Sequence, residues 1–112
     1  MTVPVLSHAL VLENAEQVSD GAGGFHQVWT PLGTHWAEIT LRTGRETAVS
    51  GTAVSRVASR IVVRGAPYGS PDRPKPQQRF RQGTRIFTIE AVAERDPEGR
   101  YLTCFAEEEL AV

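Results

Sequence analysis

Short runs in which apolar and polar residues alternate recur along this chain, and strands are the element that such a period predicts. In Trp36–Arg42, Ala37, Ile39 and Leu41 fall on one face, with Glu38, Thr40 and Arg42 on the other. In Arg56–Arg64, Val57, Ile61 and Val63 oppose Arg56, Arg60 and Arg64. In Thr84–Glu94, Phe87, Ile89 and Ala91 share one face, while Ile86 and Val92 join Thr88 and Glu90 on the other, so cover on both sides is expected. Three further short segments complete the set. They are Val5–Glu13, Phe25–Thr30 and Tyr101–Glu107, each rich in residues that fit a pleated surface.

The breaks are as clear as the runs. Asn14–Gly24 contains Asp20-Gly21 and Gly23-Gly24 and reads as a hairpin connection. Pro31 and Gly33 mark a corner between two strands that carry Trp29 and Trp36, the two tryptophans of the chain. Period alone leaves open whether these indoles share a face, because the register is not fixed. Thr43–Ser55 is small, polar and alanine-rich, with room for a short helical turn at 45–50. Gly65–Gly83 holds Pro67, Pro71, Pro74 and Pro76 and is expected to run extended over the surface. Asp96-Pro97-Glu98-Gly99 makes a tight turn.

Six short strands punctuated by turns predict an all-β fold: a small antiparallel six-stranded barrel or sandwich with long loops and at most one short helix. The 112 residues suit one domain, with a body at about 5–107 and loops at 14–24, 43–55 and 65–83. A compact body with long glycine- or proline-rich arms suits a protein that assembles with neighbours, which would cover exposed strand edges.

Composition narrows the chemistry. A formal net charge of -1 gives no general drive toward nucleic acid or anionic membranes. No apolar run is long enough to span a bilayer, and the first residues lack the pattern of a secretory signal, so an intracellular origin is expected. Cys104 is the one cysteine, which rules out an internal disulfide and a cysteine-rich zinc site; a small buried apolar role is the simplest for it. His8, His26 and His35 have no metal-ligand spacing, and no serine sits in a nucleophile motif. The glycines of 14–24 lack the phosphate-loop spacings and lead into a strand. No catalytic residue, metal or cofactor is therefore expected, and the chain is read as a non-enzyme.

Three regions attract attention instead. Arg56, Arg60 and Arg64 form a ridge on one strand face; it can pair with glutamates of a neighbouring strand, serve as a subunit interface or lie near DNA phosphate. The first two uses are favoured, because the whole chain is not basic. Gly44, Arg45, Glu46, Thr47, Ser50 and Gly51 belong to an excursion unlikely to support itself, suited to ordering against a partner. Tyr68, Arg73, Lys75, Arg79, Phe80 and Arg81 belong to the proline-rich segment, where a loop this long is usually functional. Pro71 and Pro74 also have P-x-x-P spacing, a weak signal.

The order of these features resembles the head-tail joining family, the head-completion or stopper proteins of tailed phages and of gene transfer agents. The resemblance lies in His8–Leu12, D-G-A-G-G-F-H-Q-V-W at 20–29, W-A-E-I at 36–39 and G-R-E at 44–46, then S-R-I-V-V-R at 59–64, G-T-R-I-F-T-I-E-A-V at 83–92 and L-T-C at 102–104. It covers about residues 6–107 and departs around Pro71–Gln78, where relatives have a shorter link. The resemblance implies a structural ring in the neck of a virion, made in the bacterial cytoplasm. A portal or adaptor protein would lie on the head side and a tail terminator or tail protein on the tail side. Packaged double-stranded DNA would be retained and passed without sequence-specific binding, and no membrane is involved. On the order of six to twelve copies are implied for such a cyclic assembly. A tail terminator or other neck protein is the alternative, and an OB- or SH3-like nucleic-acid-binding barrel a more distant one.

Overall fold

The computed structural model describes residues 3–49 and 52–111, with side chains for 3–42 and 56–110. Among them are six strands and no helix: β1 (His8–Ser19), β2 (Phe25–Val49), β3 (Thr52–Arg64), β4 (Arg79–Gln82), β5 (Arg85–Glu94) and β6 (Tyr101–Ala111). All neighbours are antiparallel, and the order β1-β2-β3-β6-β5-β4 closes into a barrel through β4 and β1. The chain forms the expected all-β antiparallel class, and of the two architectures left open it forms the barrel.

The strand count matches the expectation for a different reason than the one given. The segments at 25–30 and 36–42 are one strand, not two joined by a corner. Pro31 and Gly33 mark a bulge: β1 pairs Leu12 with Gly33 and Glu13 with Pro31, leaving Leu32 as the extra residue. Gly33 takes φ 142°, where a side chain would be strained. The missing sixth strand is β4, which lies inside the segment read as a proline-rich loop.

Two hairpins outrun the barrel. β1 continues to Ser19, so the connection read at 14–24 shrinks to 20–24, held by Asp20 Oδ1 accepting from the Ala22 and Gly24 amides at 2.7 and 3.0 Å. β2 and β3 pair from Ala37↔Val63 out to Val49↔Thr52, so the excursion at 43–55 is a β-ribbon where a short helical turn had room. Ser50 and Gly51 lie outside the described residues. Because every pairing is antiparallel, the β2–β3 and β4–β5 turns share one end of the barrel. The β1–β2 turn, the 65–78 connection and the turn at 95–100 share the other end.

The interior is filled by inward-facing residues of all six strands: Leu10, Leu12, Ala37, Ile61, Val63, Phe80, Phe87, Ile89, Leu102, Cys104 and Ala106. Full burial of each large side chain is worth about 1.5–3 kcal/mol. The lead-in before β1 is also engaged. Pro4 is buried, and the Val5 amide donates to Glu38 Oε2 at 2.9 Å, so this segment crosses the outer face of β2.

The 65–78 connection folds back on the barrel. Arg73, Pro74 and Gln78 are buried. The Gln77 amide donates to Ile89 O at 2.9 Å, and the Ile89 amide to Gln78 O at 3.0 Å, which ties the connection to β5. Arg73 donates from Nη1 to Ala66 O at 2.9 Å and stacks its guanidinium 3.7 Å from the Tyr68 ring centre. Gln78 Nε2 donates to Asn14 Oδ1 at 3.1 Å.

Candidate assembly surfaces

The described residues contain no cluster of three or more metal-ligating side chains, and no helix long and apolar enough to cross a membrane. The lone thiol is Cys104. Burial pushes it up to about 12, so it stays protonated and unreactive at neutral pH. What the molecule offers is surface, in four places.

The first is the ribbon of β2 and β3. Gly44, Arg45, Glu46 and Thr47 lie on β2, opposite Val57, Arg56, Ser55 and Val54. Over 43–49 this strand has β3 on one side only, so its other edge is a row of free backbone donors and acceptors.

The second is the outer face of β3, β6 and β5. Arg56 bridges Glu107 and Glu109, each at 3.3 Å, which is the pairing with a neighbouring strand anticipated for the ridge. Arg60 and Arg64 remain exposed beyond it. Next to this network, Ile86, Thr88 and Glu90 of β5 and Glu107 and Glu109 of β6 line a shallow groove. Inside the same end of the barrel, the buried carboxylate of Glu108 accepts two hydrogen bonds from Arg85, at 2.9 and 3.0 Å. That fork raises the Arg85 pKa above its ordinary value and closes the barrel end with a compensated charge.

The third is the outer face of β1, β2 and β4. Glu13 is only 4% exposed, yet it is charged. Burial alone would raise its pKa, but Arg81 Nε at 2.9 Å and Arg79 Nε at 2.7 Å donate to it and hold it below the ordinary carboxylate range. Arg79 also lies 4.0 Å from the Trp29 ring centre. Arg79 and Arg81 are thus strand residues bracketing Glu13, and Phe80 between them points inward and is fully buried. This corrects the placement of all three in a surface loop. Alternation along β4 sends Phe80 to the core and the arginines outward.

Trp29 and Trp36 share this outer face, opposite Ala15 and Ala9 of β1. Seven residues apart, they would fall on opposite sides of a regular strand; the extra residue at Leu32 restores them to one side. Trp36 is 57% exposed, and Phe25, on the same side by register, is 69% exposed. Sequence reading singled out both tryptophans, but the bulge that aligns them was read as a corner, and Glu13 was missed altogether. A glutamate ending an apolar strand carries no sign of two arginines some seventy residues away.

The fourth is the barrel end covered by 65–78, where Gly65, Ala66, Pro67, Tyr68, Arg73, Glu94, Glu98 and Gly99 surround a second shallow depression. Tyr68 is 81% exposed and Lys75 is exposed, so of the six residues proposed for an assembly loop these two are the ones displayed there. Arg73 is spent on internal contacts.

This closed barrel carries projecting ribbons and an open strand edge, the kind of surface on which neighbouring chains assemble. Residues 1–109 match the family of phage head completion proteins, and the chain belongs to that family. Among solved structures it is similar to a chain from the virion of a native gene transfer agent particle, at 52% sequence identity and a TM-score of 0.88; the match covers 98% of this chain and 100% of that one. No curated protein matches the chain.

Proposed function

We propose that this chain is a structural head-completion protein of the virion neck, in a tailed phage or a gene transfer agent. The observation that carries this reading is the end-to-end similarity, 52% identical over 98% of the chain, to a component of a gene transfer agent virion. It acts by assembly and not by catalysis. Copies form a ring between the portal or adaptor complex and the tail, and packaged double-stranded DNA is retained behind it and later passes through it. Any DNA contact is to backbone and independent of sequence. In this reading the β2–β3 ribbon, with Gly44, Arg45, Glu46 and Thr47, faces the channel or an axial neighbour. β6 pairs with β3 over 54–58, so the edge left for a partner is that of β2. Tyr68 and Lys75 face the adaptor or the tail.

The test is electron microscopy of particles produced with the gene deleted. Heads separated from normal tails, filled or leaking DNA, are the expected result. Overlong or ragged tails would assign the chain to tail termination. Intact transducing or infective particles would overturn the reading, and salt-dependent DNA binding by the purified protein would then favour a nucleic-acid-binding barrel.

A further inference from the structure

We propose that, within the ring inferred above and resting on that reading, the β1–β2 ribbons of neighbouring copies pair edge to edge. β2 of one chain bonds to β1 of the next, so that the ring carries one continuous antiparallel sheet. The ribbon outruns the barrel on both of its sides. β4 covers β1 only over 11–13, and β3 covers β2 only from Ala37 onward. Among the described residues, the stretches 15–19 and 25–30 are therefore paired with each other alone. Neither holds a lysine or a proline, the usual guards of a bare edge; Pro31 and the bulge beside it stand just past the end of the second.

Alternation fixes which backbone groups face outward. The Asp20 amide donates to Gly24 O at 3.1 Å, which makes these two a hydrogen-bonded pair of the ladder. Such pairs alternate with non-bonded ones. Val18↔His26 and Glu16↔Val28 thus bond to each other, while Ser19↔Phe25, Gln17↔Gln27 and Ala15↔Trp29 turn their amides and carbonyls away from the ribbon. The Ala15 carbonyl fits this assignment, since it accepts from Asn14 Nδ2 at 3.3 Å. Gln17 and Ser19 on one edge, and Phe25 and Gln27 on the other, are exposed. Asp20 Oδ1 accepts from the Ala22 and Gly24 amides and holds the tip, so the ribbon is ordered before it meets a neighbour.

A cyclic ring needs two different surfaces on each chain that fit one another. The ribbon supplies both, because one bare edge belongs to β1 and the other, on its opposite side, to β2. Rotation about the ring axis leaves all ribbons pointing the same way. β2 of one copy then runs antiparallel to β1 of the next, as it does to β1 of its own chain. With the ribbons level, Gln27 of one copy meets Gln17 of the next, and the outward donors and acceptors satisfy each other. The β2–β3 ribbon cannot do the same: β6 covers β3 from Val54 onward and leaves it a single bare edge.

Disulfide trapping in purified particles tests the proposal. Gln17 and Gln27 already face each other within one hairpin, so the two cysteines are placed on separate chains. Cys104 is buried and provides a silent background. Particles assembled from a mixture of Gln17→Cys chains and Gln27→Cys chains should give, on oxidation, a covalent dimer containing one of each. Particles of either variant alone should give none, since like positions stand two strands, about 10 Å, apart. Phe25→Cys and Trp29→Cys in place of Gln27→Cys cover a stagger of two residues either way. A dimer from a single variant would mean a two-fold contact and overturn the proposal. No dimer from any mixture, in particles where microscopy still resolves the ring, would overturn the edge pairing and leave the ring standing. Absence of the ring itself would sink both. As an independent check, Gln27→Pro removes only an outward-pointing amide, a change that an edge strand tolerates. The purified chain should melt as the parent does, while its incorporation into particles falls about tenfold through a hydrogen bond lost at every joint. Equal incorporation by a chain that melts normally would also overturn the proposal.

Discussion

Two segments look alike in the sequence and fold in opposite senses. Residues 43–55 and 65–83 are both polar, poor in large apolar residues and broken by glycine or proline. The first runs away from the barrel as a paired ribbon whose outer β2 edge is open. The second turns back, buries Arg73 and Pro74, and hydrogen-bonds to β5 before entering the sheet as β4. The difference lies in where the backbone groups find partners. Alanine, threonine and valine at 47–49 and 52–54 pair with each other, and β3 pairs with β6 from Val54 onward, so the backbone here finds its partners in neighbouring strands. Four prolines deny the second segment that solution, and it satisfies its amides one at a time, on Ser70 Oγ, Gln78 Oε1 and Ile89 O. Proline content here marks a fitted cover, not a free arm.

Deletion gives the largest contrast. Removing 70–78 takes away Arg73, Pro74 and Gln78 and the lead into β4, which closes the barrel. We expect loss of the cooperative thermal transition. A segment that merely ran extended over the surface, as the sequence suggests for 65–83, could be shortened with the barrel left folded. Replacing 48–53 by Asn-Gly, between the paired Thr47 and Val54, shortens the ribbon and keeps the barrel strands, so the midpoint should move by only a few degrees, corresponding to about 1 kcal/mol or less. Circular dichroism melts of the two variants decide the matter, and equal effects would erase the distinction.

A single substitution probes the cover more finely. A Cβ built on Gly65 would meet Gly99 O, a backbone atom that cannot swing aside, because the Gly65 amide and Arg100 O tie the same two segments together at 2.7 Å. Gly65→Val should cost about 2–4 kcal/mol in urea unfolding, the range expected when a side chain is forced into packed structure. Adding a Cβ at Gly69, where nothing lies within 4 Å, meets only the strain of φ 82° and should cost about 1–2 kcal/mol.

How much of this was legible in advance follows from the range of the interactions. Inward positions such as Ile61, Val63, Phe87 and Ile89 repeat at period two, a local signal, and all are core residues. The antiparallel all-β class followed from those periods and the turns between them, whereas the choice of a closed barrel over a sandwich rests on the β1–β4 pairing. What was not legible depends on partners distant in sequence. Period across 25–42 is interrupted by one bulged residue, so one strand read as two. β4 is four residues long, too short to display a period, and its identity comes from pairing with β1 and β5. Among the proposed surface residues, Arg56 is placed by glutamates fifty residues away, and Arg79 and Arg81 by Glu13. Residue type and spacing identified these charges as notable; only the closed sheet says which are already paired.

The gentlest test uses a proton. His35 faces the interior with its ring edge-on to Phe80, 5.9 Å between centres. Burial lowers its pKa from the ordinary 6.5, and the charge of Asp72, on the covering segment, opposes that fall. In the pH window between the folded value and 6.5 the unfolded chain binds the extra proton, so stability falls as pH drops below 6.5. Glu13 and Asp96 act at lower pH in the same sense. Burial would raise both, but donors from Arg81 and Arg79, and from the Tyr101 and Arg100 amides, depress them, so their contribution is lost as pH falls through the folded values. Asp72→Asn removes the one influence that reaches His35 from the cover. If 65–78 sits on the barrel in solution, the His35 imidazole resonance should titrate lower in Asp72→Asn than in the parent chain. An unchanged titration would mean that the segment spends its time away from the barrel, and the contrast with the ribbon would collapse.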